Sequence, residues 1–290
     1  MQEHPVLFNA VEGIATITLN RPDTLNAMTN PLMQGVTDSL LAVERDQSIR
    51  AVILTGNGRG FCAGADLTEV ADPEEKTAET SEPGTDTFNT AMRALMNCPV
   101  PTVARINGPA AGGGFGLACV SDVAIAGPTA KFGMPETSLG VIPAQIAPFV
   151  VERIGLTQAR RLALTAARMD GAEALRLGLV HHCEADAAAL QQRLQDTLAQ
   201  IRQCAPQANA QTKALQDQLW THDLPLAQRV AGTAVPVALL KGRSNYACLH
   251  KIEGGYPEYE GGALFAMPDD GPHPSPGVSS RAGRLGQEIK

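Results

Sequence analysis

Apolar and polar positions alternate along the first sixty residues in a pattern that predicts a strand, a helix and a second strand. Residues 12–20 alternate apolar and polar side chains and include several β-branched residues, which is typical of a half-buried strand. Asn30-Pro31 predicts the start of a helix to about residue 45, because apolar residues then recur at helical spacing. Residues 50–56 are mostly apolar and end in glycine, which predicts a buried strand.

Strands continue to alternate with helices to about residue 204. The predicted segments are strands at 101–108 and 122–127, an extended piece at 130–136, and helices at 86–97, after the glycines to about 120, and at 144–154, 157–167, 171–177 and 186–204. The polar, acidic residues 71–86 predict a mobile surface loop. This alternation of strands and helices predicts the α/β class.

Composition excludes several functional classes. The chain has 290 residues and a formal charge of −7, which disfavours binding to nucleic acid or an anionic membrane. No apolar run approaches the roughly 18 residues that span a bilayer. The N-terminus has no basic segment followed by an apolar one, so we expect a cytoplasmic protein without a secretory signal. Six scattered cysteines without a Cys-x-x-Cys pair predict reduced thiols and no metal site.

Two glycine-rich turns carry the first candidate chemistry. Each of the segments 60–67 and 108–115 follows a predicted strand and precedes a predicted helix. Glycine permits such tight turns, and the first N–H groups of a helix lack intrahelical partners and favour negative charge. If the turns face each other, one amide from each could hold an oxygen that becomes negative during a reaction. Glycine alone favours a simpler interpretation, two unrelated turns, and neither segment has the pattern of a phosphate-binding loop.

Three segments together resemble one family. FCAGADL at 61–67, NGPAAGGGFGLACVSDVAIA at 107–126 and KFGMPETSLGVIP at 131–143 resemble the enoyl-CoA hydratase/isomerase (crotonase) family, over about residues 5–212. The resemblance implies a spiral of ββα units that assembles as a homotrimer or a hexamer. It also implies an acyl-CoA substrate, whose thioester enolate the protein stabilises, with coenzyme A entering only as part of the substrate and no separate cofactor.

Position in these motifs implies a role for each site residue. The oxyanion amides would be those of Ala65 and Gly113, and Glu136 would be the acid/base. Burial of Glu136 in an apolar stretch should favour its protonated form and raise its pKa. Outside the family pattern, a carboxylate at a helix start would be the simpler interpretation. The remaining residues assigned to substrate and CoA binding are Ala63, Asp66, Leu67, Gly112, Gly116 and Gln145.

The sequence departs from the two-glutamate hydratases of the family. Their first glutamate belongs three residues after the oxyanion glycine, where this chain has Gly116. With one carboxyl group, a Δ3-Δ2-enoyl-CoA isomerase is one possibility. Hydration is the other, and it requires either that Glu136 both activates water and reprotonates Cα or that the substrate itself assists. The stretch from 112 to 186, including IPAQIAPFV, is most similar to isohexenylglutaconyl-CoA hydratases of terpenoid catabolism, which favours hydration of a branched glutaconyl-type acyl-CoA.

The second carboxylate of such a substrate needs a donor or a cation. Gln145 and Arg153 are candidates by position, although Arg153 could equally be a solvated helix residue. Other polar residues have simpler interpretations. His181 and His182 are expected to be packed or on the surface, Cys62 to be a small buried residue, and Arg160 and Arg161 to lie on a solvated helix face.

The last 78 residues depart from the family. Residues 211–290 resemble a piece of an iron–sulfur superfamily 2 DNA helicase, in which Cys248 would be the first cluster ligand. No cysteine follows it and no P-loop is present, so helicase activity is excluded. We therefore predict a crotonase-like domain at 1–212 and an atypical tail at 213–290, disordered over 254–290, from a rearranged reading frame. A divergent native C-terminus is the alternative, and a catalytically impaired chimeric protein is a third functional possibility.

Overall fold

The chain begins, in the part that can be described, with a β-hairpin whose first strand the apolar pattern does not predict. The computed structural model describes residues 4–66 and 87–218. Strand β1 (Val6–Val11) pairs antiparallel with β2 (Ile14–Leu19). The turn between them has positive φ angles at Glu12 (49°) and Gly13 (77°), as in the type I′ turns that join twisted strands. Most of β1 is exposed, so it has no apolar face that the sequence could reveal.

The remaining elements alternate as predicted, with ends that differ by a few residues. They are α1 (Asn30–Arg45), β3 (Ala51–Gly56), α2 (Thr87–Met96), β4 (Thr102–Ile106), β5 (Ala110–Ala111), α3 (Gly113–Val120), β6 (Val123–Ala126), β7 (Lys131–Gly133), a 3₁₀ turn (Glu136–Leu139), α4 (Ala147–Ile154), α5 (Leu156–Thr165), β8 (Arg168–Asp170), α6 (Gly171–Arg176), β9 (His182–Cys183), α7 (Ala187–Gln203) and α8 (Pro206–Gln218). The predicted α/β class is confirmed.

Six strands form the main sheet in the order β1-β2-β3-β4-β6-β9, and every pair except β1-β2 is parallel. A smaller sheet, β5-β7-β8, stands beside it. Because β3 and β4 are neighbours, the segments that follow their carboxyl ends leave the sheet side by side. These segments are the two glycine turns, and an isolated parallel bridge between Cys62 and Ala110 joins them directly.

Apolar side chains cover both faces of the main sheet, as expected for parallel strands. The larger core packs β2, β3 and β4 against α1, α2, α3 and α4. A smaller core packs the other face against α7, through Leu190, Leu194 and Leu198. Helix α1 begins as the sequence predicts, with the Thr29 side chain accepting a hydrogen bond from the Leu32 N–H (3.4 Å) and a proline in its first turn.

Helix α8 crosses the predicted boundary between residues 212 and 213. Lys213 lies on this helix, and its ammonium forms an ion pair with Asp122 (2.7 Å). Asp122 also accepts hydrogen bonds from the N–H (2.7 Å) and hydroxyl (2.9 Å) of Thr102 at the start of β4. The first residues of the predicted tail are therefore attached to the body of the fold.

Several predictions fall outside the described residues. These are the role of Leu67, the acidic loop within 71–86, the role of Cys248, and the tail beyond residue 218, including the disorder predicted for 254–290. In the part of the chain that is described, no helix has the length and apolar character needed to cross a membrane.

Candidate active site

The two glycine turns face each other, and the candidate acid/base lies against one of them. Gly64 (φ 91°) and Gly112 (φ 51°) adopt backbone conformations that favour glycine. A Cβ built on Gly112 would lie 3.6 Å from the Cα of Gly64 and 3.3 Å from Oε1 of Glu136. The structure thus brings together three segments that are separated by 24 residues or more in the sequence.

Met28 contacts both residues whose amides are predicted to hold the oxyanion. It forms a parallel bridge with Ala65, in which its N–H donates to the carbonyl of Gly64 (2.7 Å) and its own carbonyl accepts from the N–H of Asp66 (2.9 Å). The Met28 sulfur lies against Gly113. The backbone of Met28 therefore holds the turn that carries Ala65, while its side chain lies against Gly113.

The two predicted donor amides have no hydrogen-bond partner within the described residues. The bridge to Met28 uses the Gly64 carbonyl and the Asp66 N–H, so the Ala65 N–H between them is left over. Gly113 is the first residue of α3, where an N–H has no intrahelical acceptor. Two amides in this condition can both donate to one substrate oxygen that gains negative charge.

Backbone hydrogen bonds between the turns hold them in register. The carbonyl of Pro109 accepts from the N–H groups of Phe61 (3.1 Å) and Cys62 (3.0 Å), and the carbonyl of Cys62 accepts from the N–H of Ala111 (3.0 Å). The Gly112 N–H in turn donates to the carbonyl of Gly133 (3.1 Å), on the strand that leads to Glu136. These bonds fix the site through the main chain, with little dependence on side-chain identity.

Asn26 supports the first turn and was not singled out by the sequence. It is fully buried, and its Nδ2 donates to the carbonyls of Asn57 (3.0 Å), Gly60 (2.9 Å) and Phe61 (3.2 Å). Its Oδ1 accepts from the N–H of Arg21 (2.8 Å). Its positive φ of 58° is one that asparagine tolerates better than most residues. An asparagine in the polar break before a helix was the available signal, but such residues also occur in ordinary turns.

Arg21 fixes the predicted CoA-binding residue Asp66. Its Nη1 donates to Oδ2 of Asp66 (2.9 Å) and to the carbonyl of Ala27 (2.6 Å). Ala63 is half-buried, and its N–H donates to the carbonyl of Leu25 (3.0 Å). Of the residues predicted to follow the coenzyme, Ala63 and Asp66 are thus both tied to the segment that precedes α1.

Glu136 has the environment that a proton-transfer group requires. It begins the 3₁₀ turn Glu136–Leu139, and its Oε2 is buried without a hydrogen-bond partner in the described part of the chain. Burial raises the pKa of Glu136, and a hydrogen bond from its own backbone N–H opposes that rise. A half-buried carboxyl group with one unpartnered oxygen in the described residues and a raised pKa can exchange a proton with a substrate carbon or a water molecule.

The position of the absent first glutamate is filled by apolar side chains. Gly116 is buried and lies against Ile146 and Met92, both of which are also buried. Gln145, predicted to bind the substrate, is exposed immediately before Ile146. Glu136 is accordingly the carboxyl group that the described residues place against the glycine turns.

Arg153 binds backbone carbonyls of two other segments. Its Nε donates to the carbonyl of Leu179 (3.1 Å), and its Nη2 donates to those of Ala118 (3.3 Å) and Ser121 (3.2 Å). These last two carbonyls lie at the C-terminal end of α3, which a cation stabilises. Arg153 is therefore a partly buried residue that binds carbonyls, and the interpretation as a solvated helix residue is wrong, whereas binding of a substrate carboxylate stays a prediction.

The other polar residues fit their simpler interpretations. Cys62 is fully buried, and burial raises the pKa of its thiol to about 12. His181 accepts a hydrogen bond at Nδ1 from the Ala124 N–H (3.0 Å). Arg160 and Arg161 are exposed on α5. Across residues 4–66 and 87–218, no three His, Cys, Asp or Glu side chains are grouped to hold a metal ion.

Comparison with known proteins identifies the family. The family model described as enoyl-CoA hydratase/isomerase matches residues 9–234, which continues past the predicted junction at 212. A probable enoyl-CoA hydratase, echA8 of Mycobacterium bovis, is 40% identical over 181 residues (62% of this chain and 68% of that protein). The 1,2-epoxyphenylacetyl-CoA isomerase of Escherichia coli is 36% identical over 177 residues (60% and 68%).

Solved structures share the fold. The structure of Pseudomonas aeruginosa AtuE matches with a TM-score of 0.68 and 49% identity, over 79% of this chain and 92% of that one. The crotonase-like architecture predicted from the three motifs is thereby confirmed. The chain belongs to the enoyl-CoA hydratase/isomerase family.

Proposed function

We propose that the protein is a hydratase that adds water to the double bond of a branched, glutaconyl-type acyl-CoA. The observation that carries this proposal is the position of the Glu136 carboxylate, 3.3 Å from a Cβ built on Gly112, together with the Ala65 and Gly113 amides, which have no partner within the described residues. Such a site can hold a thioester oxygen and transfer a proton within one small volume. The similarity of residues 112–186 to isohexenylglutaconyl-CoA hydratases supports the choice of acyl group.

In the proposed reaction Glu136 first accepts a proton and then returns it, while the two amides hold the thioester oxygen. Ionised Glu136 takes a proton from water as the water oxygen bonds to Cβ of the substrate. The electron pair of the double bond moves onto the thioester oxygen, which the Ala65 and Gly113 amides hold as an enolate. Glu136 then returns the proton to Cα, and the product is a 3-hydroxyacyl-CoA. Gln145 is the residue we propose for the second carboxylate of the substrate.

The second candidate is a Δ3-Δ2-enoyl-CoA isomerase. The observation that favours it is the apolar surroundings of Gly116, because an isomerase needs one carboxyl group to move a proton between two carbons. Both reactions would use the same oxyanion amides.

Incubation of two substrates in D₂O distinguishes the two reactions. Isohexenylglutaconyl-CoA and a 3-enoyl-CoA are each incubated in D₂O, and the products are analysed by mass spectrometry. A hydratase is expected to convert the first compound to a product heavier by one D₂O. Double-bond migration in the second compound with deuterium exchange but no added water would favour the isomerase, and no conversion of either would contradict both proposals.

The pH dependence of kcat/KM follows from the environment of Glu136. The carboxylate form is needed to accept a proton from water, and burial raises the pKa of this group. We therefore expect kcat/KM to fall as the pH decreases, with a midpoint above the pKa of an ordinary glutamate.

The effect of the same group on folding stability has the opposite sign. The folded state favours the protonated form, so stabilisation from this group is lost as pH rises through the raised pKa. Glu152→Gln, at an exposed position on α4, is the control, and its kcat/KM should depend on pH as that of the unmodified protein does.

Assembly and location remain proposals drawn from the family resemblance. We propose a homotrimer or a dimer of trimers in the cytoplasm, with an acyl-CoA as the partner of the site. Mass measured by light scattering tests the assembly, and a monomer would favour an impaired chimeric protein.

A further inference from the structure

The contact between Gly116 and Ile146 is closer than any side chain at position 116 would allow. A Cβ built on Gly116 would lie 2.9 Å from Cγ2 of Ile146 and 3.1 Å from Cε of Met92. Ile146 is 3% exposed and Met92 is fully buried. The methionine contact involves the flexible end of a side chain, which can move. The isoleucine contact involves Cγ2, a methyl group on a β-branched side chain whose rotation about χ1 is restricted. Ile146 is therefore the residue that would obstruct a new side chain.

The obstructed space lies next to the candidate site. Gly116 is three residues after Gly113 on α3, so both lie on the same side of the helix. Its N–H donates to the carbonyl of Gly112 (3.1 Å), the residue whose built Cβ would lie 3.3 Å from Oε1 of Glu136. Side chains of a helix lean towards its N-terminus, so a long side chain at position 116 would extend towards Gly112 and Gly113. A carboxyl group carried there would lie near Glu136.

We propose that Ile146 is a specificity-determining residue. It occupies the space beside Gly116, so that the site has one carboxyl group and an apolar wall formed by Ile146. This inference rests on the proposed function, since it concerns which acyl-CoA esters that site turns over. A substrate with a branched apolar substituent is compatible with such a wall. A straight-chain substrate, whose hydration would profit from a second carboxyl group, is disfavoured.

A set of variants at the two positions tests the proposal in the full-length protein. Gly116→Glu alone places a side chain against Ile146, and Ile146→Ala alone removes the obstructing methyl groups while keeping the Ile146 Cβ, which is 3.5 Å from the built Cβ of residue 116. We expect each single change to lower Tm. The Tm loss of the double variant should be well below the sum of the two single losses, since the effects of mutations at contacting residues are not additive. Ile146→Val keeps the obstructing branch and should not rescue Gly116→Glu.

Matched glutamine variants separate packing from chemistry. Gly116→Gln with Ile146→Ala has nearly the same volume as the glutamate version but no carboxyl group. Hydration of crotonyl-CoA, a straight-chain substrate, is the activity to measure. We expect kcat/KM for crotonyl-CoA to rise by about 10²-fold in the glutamate double variant, the lower end of what a positioned acid or base contributes, and not in the glutamine one.

Two results would overturn the proposal. Additive Tm losses would mean that Ile146 does not control the space at position 116. Rescue of Tm with no gain on crotonyl-CoA would make Ile146 a packing residue without a role in specificity. Neither readout needs activity of the unmodified protein on a branched substrate. A failure of the proposed substrate therefore remains distinguishable from a failure of this inference.

Discussion

Replacing Glu136 by glutamine is expected to lower kcat by about 10²- to 10⁴-fold, the range that a positioned acid/base contributes. Glutamine keeps the shape of the side chain but cannot exchange the proton that hydration requires. Since Oε2 of Glu136 has no partner in the described part of the chain, the change breaks no hydrogen bond of that atom. Steady-state kinetics with isohexenylglutaconyl-CoA measure the loss, and calorimetry with the same ester in this inactive variant should show that binding persists.

The control for this experiment is Glu152→Gln, at an exposed position on α4. It makes the same chemical change away from the glycine turns, and its kcat should match that of the unmodified protein. Full activity in Glu136→Gln would refute the assignment of this residue as the acid/base. Equal losses in both variants would point to a general effect on folding.

The second large effect is expected when the Gly113 amide is removed. Proline is tolerated at the first position of a helix and has no N–H, so Gly113→Pro deletes the candidate donor at a compatible position of α3. We expect its kcat to be about 10²- to 10³-fold lower than that of Gly113→Ala, the typical loss for one oxyanion donor. Kinetics of the two purified variants, with Tm measured for both, give the comparison.

Gly113→Ala is the necessary reference because it introduces the same Cβ and keeps the N–H. That Cβ would lie against the Met28 sulfur and 3.0 Å from Cε2 of Phe88, so both variants disturb these neighbours. The difference between them reports on the loss of the N–H together with the two further ring carbons of proline, and Tm shows whether those carbons disturb the fold. Equal kcat values in the two variants would show that this N–H does not stabilise the reacting oxygen.

Local patterns predicted most of the fold. The apolar pattern placed α1 and β3, because α1 buries one face with apolar residues at helical spacing and β3 is an apolar run buried on both faces of the sheet. The same reasoning missed β1, because an exposed edge strand has no such face. It also missed helix α8, which the structure places across the predicted domain boundary.

The candidate site was predicted only as far as motifs reach. The glycine turns and Glu136 were found because their spacing along the chain is distinctive. Asn26 and Ile146 were not found, since their importance lies in contacts with residues 30 or more positions away. Arg153 was misinterpreted for a similar reason. Its sequence neighbours suggest a helix surface, whereas its partners are carbonyls at the end of another helix.

The position of Met28 means that the separation of the two candidate donors is set by a third part of the chain. Its backbone is bonded to the first turn and its sulfur lies against the second, so it acts as a spacer between them. A bulkier residue there would widen the gap between the amides while leaving both glycine motifs unchanged. Two members of the family can thus carry identical motifs and still bind a thioester oxygen with different hydrogen-bond strengths.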